Sequence, residues 1–276
     1  MLRRHAKAEI RLEMGFLDFL KLPGARALQD LDAPETTISH RKIIRSKPFL
    51  RQLYLDFYAN FFKKVPDITL KKCVELGSGG GFLKEVLPTV ITSDVLRLPD
   101  VDQCFSALKM PFADLSVDAF FMIDVFHHIP DAEAFLREMD RCLKPGGQIV
   151  MVEPANTRWG RWIYQNFHHE LFDPAACWTL PPGGPLSGAN GALPWIVFVR
   201  DRLRFQKEFP KFKIDSISHL APFRYLISGG LTLRQLLPGF LYPPVKFLEW
   251  LLTPLQEWLG LFMVVSLKKE AHSKKY

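Results

Sequence analysis

A glycine-rich turn between a short apolar strand and the start of a helix, VELGSGGGF at residues 74–82, constrains this chain more than any other feature. Glycines at 77, 79 and 81 allow a tight turn and keep Cβ atoms away from anything bound there. A helix that follows such a turn offers unpaired N–H groups to a ligand. The surrounding pattern alternates strand and helix. KKCVELG reads as a buried strand and GGFLKEVL as the helix, limited by Pro88. VITSDV, VDQCFSA and AFFMIDV follow as three more strands. DAEAFLREMDRCLKPGG is a helix capped by Asp131, with Phe135, Met139 and Leu143 on one face and Pro145-Gly146-Gly147 as its stop. QIVMVEP supplies a fifth strand. Strands joined through helices require right-handed crossovers, so the fold class is α/β, a doubly wound and mostly parallel sheet.

Residues outside this alternation divide the chain into an N-terminal helical arm over 1–70, the core over 71–155, and a substrate-side insertion with closing strands over 156–276. In the arm, Ser46 is placed to cap a helix with Pro48 in its first turn. Phe49, Leu53, Phe57 and Phe61 then form a stripe at fourfold spacing, read as a lid on the core. After 155, WTLPPGGPLSGANGALPW reads as an irregular loop, PWIVFVRDRLRFQKEF as a helix, and FKIDSISHL and LFMVVSLKK as strands, the last an antiparallel closing one. The stretch Leu241–Leu267, carrying Trp250 and Trp258, is an apolar helical cap. Lys246, Glu249, Glu257 and three prolines interrupt it, so it suits a membrane surface or an apolar acceptor tunnel better than a membrane crossing.

Apolar residues at 48% and charged residues at 24% exclude disordered and disulfide-framework classes. Phe occupies 23 of the 276 positions and the mean hydropathy is slightly positive at +0.02, so an unusually apolar surface is expected. The net charge of +7 is unevenly spread: an acidic centre, 73–160, lies between basic flanks. The middle therefore suits a neutral or cationic ligand, and the flanks suit anionic head groups or a phosphorylated acceptor. Cys73, Cys104, Cys142 and Cys177 form no C-x-x-C pair, which fits a reducing compartment. Charges throughout MLRRHAKAEIRLEMGFLDFLKLPG give no secretory signal. A cytoplasmic protein is expected, with peripheral contact at the inner membrane face. No nucleic-acid-binding module accompanies the scattered basic residues.

Asp94 ends the second strand, 17 residues after Gly77, where a carboxylate can accept both hydroxyls of a ribose. The dinucleotide fingerprint wants a third glycine at 82, where this chain has Phe82. Glu75 beside the turn would repel a pyrophosphate and suit a cation. S-adenosylmethionine, with an amino group, a sulfonium and no phosphate, fits both acidic positions.

Through VELGSGGG, TSDV, KMPFADLSVDAFFMIDVFHHIPD and FLREMDRCLKPGGQIVMVEP, residues 73–154 resemble the class I S-adenosylmethionine-dependent methyltransferases, particularly the type 11 group. The resemblance implies a Rossmann-like methyltransferase fold. It also implies that Glu75, Gly77, Ser78, Gly79 and Gly81 surround the methionine moiety, that Asp94 with Val95 holds the ribose, and that Ser106 and Ala107 border the adenine. Asp124 and Phe126 would then lie beside the transferable methyl. Relatives commonly carry an Asp where this chain has Ser106.

Methyl transfer from a sulfonium needs alignment and water exclusion, with a base only for a weakly nucleophilic hydroxyl. His127 and His128 follow the fourth strand at the ligand-binding edge and Glu153 ends the fifth, so these three are the catalytic candidates. His168, His169, Glu170 and Asp173 form a polar patch on the substrate side. Because neighbouring histidines on a helix diverge and no H-E-x-x-H spacing exists, no metal is expected there or elsewhere in the chain. Arg158 and Arg161 could hold an acceptor's carboxylate or phosphate. The expected activity is methyl transfer to a small-molecule or lipid-like acceptor. The competing expectations are a non-catalytic S-adenosylmethionine-binding accessory protein and, more remotely, a nicotinamide-dependent oxidoreductase.

Overall fold

A computed structural model of the chain describes Leu22 and residues 30–271. Seven strands, β1 (Cys73–Glu75), β2 (Ile91–Asp94), β3 (Gln103–Cys104), β4 (Val117–Ile123), β5 (Leu143–Pro154), β6 (Phe212–Leu220) and β7 (Phe262–Lys269), form one sheet in the order β3-β2-β1-β4-β5-β7-β6. β1 to β5 run parallel, with Val74 opposite Ile91 on one side and Phe120 on the other. β7 is antiparallel to both β5 and β6. The strand order reverses between β1 and β4, and the crevice beyond the carboxyl ends of such neighbours is where open α/β sheets bind ligands.

Two helices of the arm, α1 (Pro34–Ser46) and α2 (Pro48–Lys64), cover one face of the sheet. Phe49, Leu53, Phe57 and Phe61 are wholly buried, the Phe61 ring stacks on Phe121 of β4 at 4.6 Å, and Phe57 meets Phe262 of β7 at 5.1 Å. α2 is thus a packed layer of the core. Ser46 does not cap it. Ser46 is the last residue of α1, its hydroxyl donates to the Ile43 carbonyl, and Lys47 occupies the cap position with its ammonium turned to the Gly230 and Leu233 carbonyls and not to the helix. Residues 1–21 and 23–29 of the arm lie outside the described residues.

The helix expected after the glycine turn is a single turn, α3 (Leu83–Val86), preceded by a 3-10 turn over Ser78–Gly80. On the other side of β1, α4 (Ala132–Cys142) begins as expected, with Asp131 Oδ1 accepting from the Ala134 N–H at 3.0 Å. It stops at Cys142, and Leu143 already belongs to β5.

The last third adds α5 (Arg158–Phe167) and a helical run, α6 (Leu193–Trp195), a π-helical stretch (Ile196–Arg200) and α7 (Arg202–Glu208), in which Phe198 packs on Phe126 after β4 and Arg204 pairs with Glu133 of α4. α8 (Arg224–Ser228), α9 (Tyr242–Leu251) and α10 (Gln256–Leu259) form the apolar cap. Arg224 anchors it: its guanidinium bonds Glu249 of α9 and Asp56 of α2, and Tyr242 joins the same network. No described helix is long and apolar enough to cross a membrane.

Candidate active site

The glycine turn is shaped by protein packing as well as by conformation. Gly77 has φ +63°, and a Cβ there would lie 2.4 Å from Val125 Cγ2. At Gly79 a Cβ would meet Thr37 of α1 at 2.4 Å and Asp94 Oδ2 at 2.7 Å, and at Gly81 it would meet the Tyr58 hydroxyl at 2.8 Å. The loop N–H groups are also engaged: Gly79 donates to Asp94 Oδ2 (3.0 Å), Gly81 to the Ser78 carbonyl (2.9 Å) and Phe82 to the Tyr58 hydroxyl (2.8 Å). Arg41 of α1 donates to the Gly79 carbonyl at 2.8 Å. The arm therefore clamps this loop from outside, and the N–H groups of Gly79, Gly81 and Phe82 are already bonded within the protein.

Beyond the loop lies a cavity of about 640 Å³. Gly77, Gly79, Asp94, Val95, Ser106, Ala107, Asp124, His127 and His128 all line it. Apolar groups of α5 and of the loop after α8 close the remainder, Ile163, Phe167 and Leu233 among them. Asp94 Oδ1 accepts from the Leu96 N–H at 2.9 Å, so each carboxylate oxygen holds one N–H and keeps acceptor capacity for a ribose hydroxyl. Burial raises the Asp94 pKa against the pull of those N–H groups. Asp124 stands at φ +54°, in the left-handed region, and burial pushes its carboxyl up to about 7; Glu153 and Glu170 add to the shift and His127 opposes it. A carboxylate with spare acceptor capacity at Asp94 and a second carboxylate at Asp124 fit a nucleoside that carries a cationic centre.

Five residues expected at the ligand face elsewhere. Glu75 lies behind the loop near Arg41, with Oε2 lacking a hydrogen-bond partner among the described residues; burial raises its carboxyl to about 7. Ser78 bridges strands, donating to the Glu75 carbonyl and accepting from the Ser93 N–H. Gly81 lies on the Tyr58 side. Phe126 is turned into the core against Phe135 and Phe198. Glu153 is fully buried below the cavity floor, where Oε1 accepts from the Val125 and Phe126 N–H groups at 3.0 and 2.7 Å. Arg158 and Arg161 are exposed on α5.

Glu153 Oε2 lies 2.7 Å from His127 Nδ1, and His127 Nε2 lies 3.3 Å from Glu170 Oε2. Burial alone would lower the His127 pKa, but carboxylates on both ring nitrogens outweigh it and raise the pKa well above the ordinary value. His128 is held by a contact between Nδ1 and the Gly188 carbonyl at 3.1 Å; burial and the neighbouring His127 charge push it down to about 4. Its Nε2 points toward Glu170 Oε1 at 3.8 Å. His168 and His169 approach the same carboxylate at 3.7 Å each, so the two histidine pairs, 40 residues apart in sequence, converge on Glu170. His168 and His169 lie beyond the end of α5, not on a helix.

Several positioning residues carry no short-range sequence signal. Asn190, in the Pro/Gly-rich loop, donates its backbone N–H to the His127 carbonyl and bonds residues 173 and 192 through its side chain. Asp32 accepts from the Leu186 and Ser187 N–H groups at 2.7 and 2.9 Å, fixing the stretch that presents the Gly188 carbonyl. Arg41 is similarly silent in sequence.

Comparison with known proteins gives a match over the glycine turn. The family model described as a methyltransferase domain, type 11, matches residues 74–151. A methyltransferase named GfsG, from Streptomyces halstedii, is 38% identical over 47 residues; the match spans 17% of this chain and 17% of that relative's length. Among solved structures, an S-adenosylmethionine-dependent methyltransferase of Thermotoga maritima aligns with 79% of this chain and 89% of its own at 15% identity and a TM-score of 0.47. A geranyl diphosphate C-methyltransferase of Streptomyces coelicolor A3(2) aligns over 88% of both chains at 14% identity and a TM-score of 0.46.

Proposed function

We propose, on the premise that residues 74–151 are a methyltransferase domain of the S-adenosylmethionine-dependent class, that this chain methylates an apolar acceptor drawn from a membrane surface. One observation carries the proposal: a single cavity is lined by Asp94, by Asp124 and the histidines, and by Phe167, which is itself 62% exposed.

S-adenosylmethionine, when bound, supplies an electrophilic methyl carbon on a sulfonium. The chain's own residues would hold, orient and exclude water. Asp94 would take the ribose hydroxyls with the lone pairs its two N–H bonds leave free, and Val95, Ser106 and Ala107 would flank the base. Asp124 places negative charge at the histidine end, where it favours a cation over a neutral ligand. His127 and His128 form the polar wall that an acceptor's polar end would meet, and Glu153 holds His127 from behind. Apolar side chains of α5 and of the loop after α8 would exclude water from the acceptor's remainder, raising the share of aligned encounters.

The exposed face supports the membrane part. α9 is inside out: its buried residues are Tyr242 and Glu249, whereas Phe247 and Trp250 are 57% and 64% exposed. Trp258 of α10 is 59% exposed, and α10 packs on α5, which carries Trp162 and Phe167 outward. A run of outward aromatics that continues to a cavity rim is what an interfacial helix pair presents to acyl chains.

The test is transfer of a radiolabelled methyl from S-adenosylmethionine to lipid and aqueous cell extracts. Label in the lipid extract is expected, and label only in the aqueous one would remove the membrane source. Donor binding with no transfer to either extract would favour the accessory protein, and binding of NAD in place of the donor would favour an oxidoreductase.

A further inference from the structure

We infer that His127, His128 and Glu170 form a binding site for one divalent transition-metal ion in the cavity wall. One ring nitrogen of each histidine and a Glu170 carboxylate oxygen lie within 4.8 Å of one another. An ion held at about 2.1 Å by each ligand in tetrahedral geometry would set its ligand atoms about 3.4 Å apart. Here the nitrogen-to-oxygen separations are 3.3 Å to Oε2 and 3.8 Å to Oε1.

The outer contacts carry the inference further than proximity would. A metal-bound imidazole directs its other ring N–H at a carboxylate or a carbonyl, which fixes the tautomer and aims the lone pair. Both histidines are arranged this way. His127 Nδ1 faces Glu153 and His128 Nδ1 faces the Gly188 carbonyl, so both rings can turn Nε2 lone pairs toward one carboxylate. Three groups with lone pairs directed at a common point repel one another unless a cation lies between them. A proton shared between His127 and Glu170 does this for one ring and leaves His128 without a partner at Nε2. An ion serves both.

Two imidazoles and one carboxylate favour borderline first-row ions such as Zn²⁺ or Fe²⁺ over Mg²⁺ or Ca²⁺, which prefer all-oxygen sets. All three ligand residues line the cavity, so further coordination positions face it and are open to an acceptor oxygen. His169, exposed and 3.7 Å from Glu170 Oε1, lies at the edge of the set. Such a site departs from the sequence expectation that the chain binds no metal: its histidine pair is His127 and His128, and not His168 and His169.

The experiment uses the full chain, dialysed against a chelator and titrated with Co²⁺. Ligand-field absorption and elemental analysis report the site, and Zn²⁺ competition follows. One Co²⁺ per chain is expected, displaced by Zn²⁺ and untouched by millimolar Mg²⁺. His128→Ala and Glu170→Gln should each weaken binding at least tenfold. Glu153→Gln, which changes the partner behind His127 and keeps an oxygen for the Val125 and Phe126 N–H groups, should weaken it roughly ten- to a hundredfold at unchanged stoichiometry. His169→Ala should retain the Co²⁺ spectrum. Substoichiometric uptake by the wild-type chain, or uptake indifferent to both ligand substitutions, would overturn the inference, and the wild-type spectrum decides even where a variant fails to fold. S-adenosylmethionine binding is measured by calorimetry on the metal-free chain, so failure of the ion site and failure of the donor pocket are read separately.

Discussion

The Glu153 carboxylate ties together two segments of the site: Oε2 lies 2.7 Å from His127 Nδ1 while Oε1 takes the N–H groups of Val125 and Phe126. Glu153 thereby sets the path of the chain leaving β4, which places Asp124 at the cavity end and His127 in its wall. Glu153→Ala leaves two buried N–H groups and an imidazole without their acceptor, a loss of about 3–5 kcal/mol for breaking a buried charged pair. Glu153→Gln, which keeps an oxygen for the N–H groups, should cost about 1–3 kcal/mol. Urea unfolding measures both, and equal losses would mean that the charge, not the acceptor geometry, matters.

Asp124 gives a pH signature. Its carboxyl is raised to about 7, so it is mostly neutral at pH 6 and ionised at pH 8. Affinity for the sulfonium donor should therefore rise on the order of tenfold between these values, while affinity for the neutral product, S-adenosylhomocysteine, stays nearly flat. Asp124→Asn should abolish the difference, and asparagine tolerates the positive φ of this position. The stability sign follows too. The raised group favours the fold fully below pH 4 and loses that contribution as pH climbs through 7, so Asp124→Asn should be more stable than wild type at pH 8. Calorimetric titrations at both pH values and thermal melts check this.

The Phe61–Phe121 stack locks α2 onto the sheet with both rings fully buried. Phe61→Ala should cost about 3–5 kcal/mol by leaving a cavity between helix and strand. A loss under 1 kcal/mol, read from denaturant unfolding, would show that α2 is dispensable to the core.

Trp250 and Trp258 should govern membrane contact without supporting the fold. A Trp250→Ser, Trp258→Ser double substitution is expected to lower co-sedimentation with phospholipid vesicles at least tenfold, since each aromatic withdrawn from acyl chains forfeits about 1.5–3 kcal/mol. Its melting temperature should remain within a few degrees of wild type. A large fall in melting temperature would instead place these rings in the fold's own packing.

Local pattern made the central sheet legible. Uninterrupted apolar runs mark β4 and β5, Asp131 marks the start of α4, and the fourfold Phe and Leu spacing marks the buried face of α2. The glycine positions were legible too, but their cause was not: Val125, Thr37 and Tyr58, which crowd them, come from distant parts of the chain. Glu170 gave no hint of being a point of convergence, because its partners at 127 and 128 reach it only through the fold. In α9 the inward turn of Glu249 was not legible, because its partner Arg224 meets it only through the fold.

Calorimetric titration of S-adenosylmethionine into the wild-type chain and into Asp94→Ala tests the donor pocket most directly. Saturable one-to-one binding is expected for wild type, weakened by about 1.5–3 kcal/mol, roughly ten- to 150-fold, when the carboxylate is removed. No heat of binding in the wild type, or identical affinity in both chains, would contradict it.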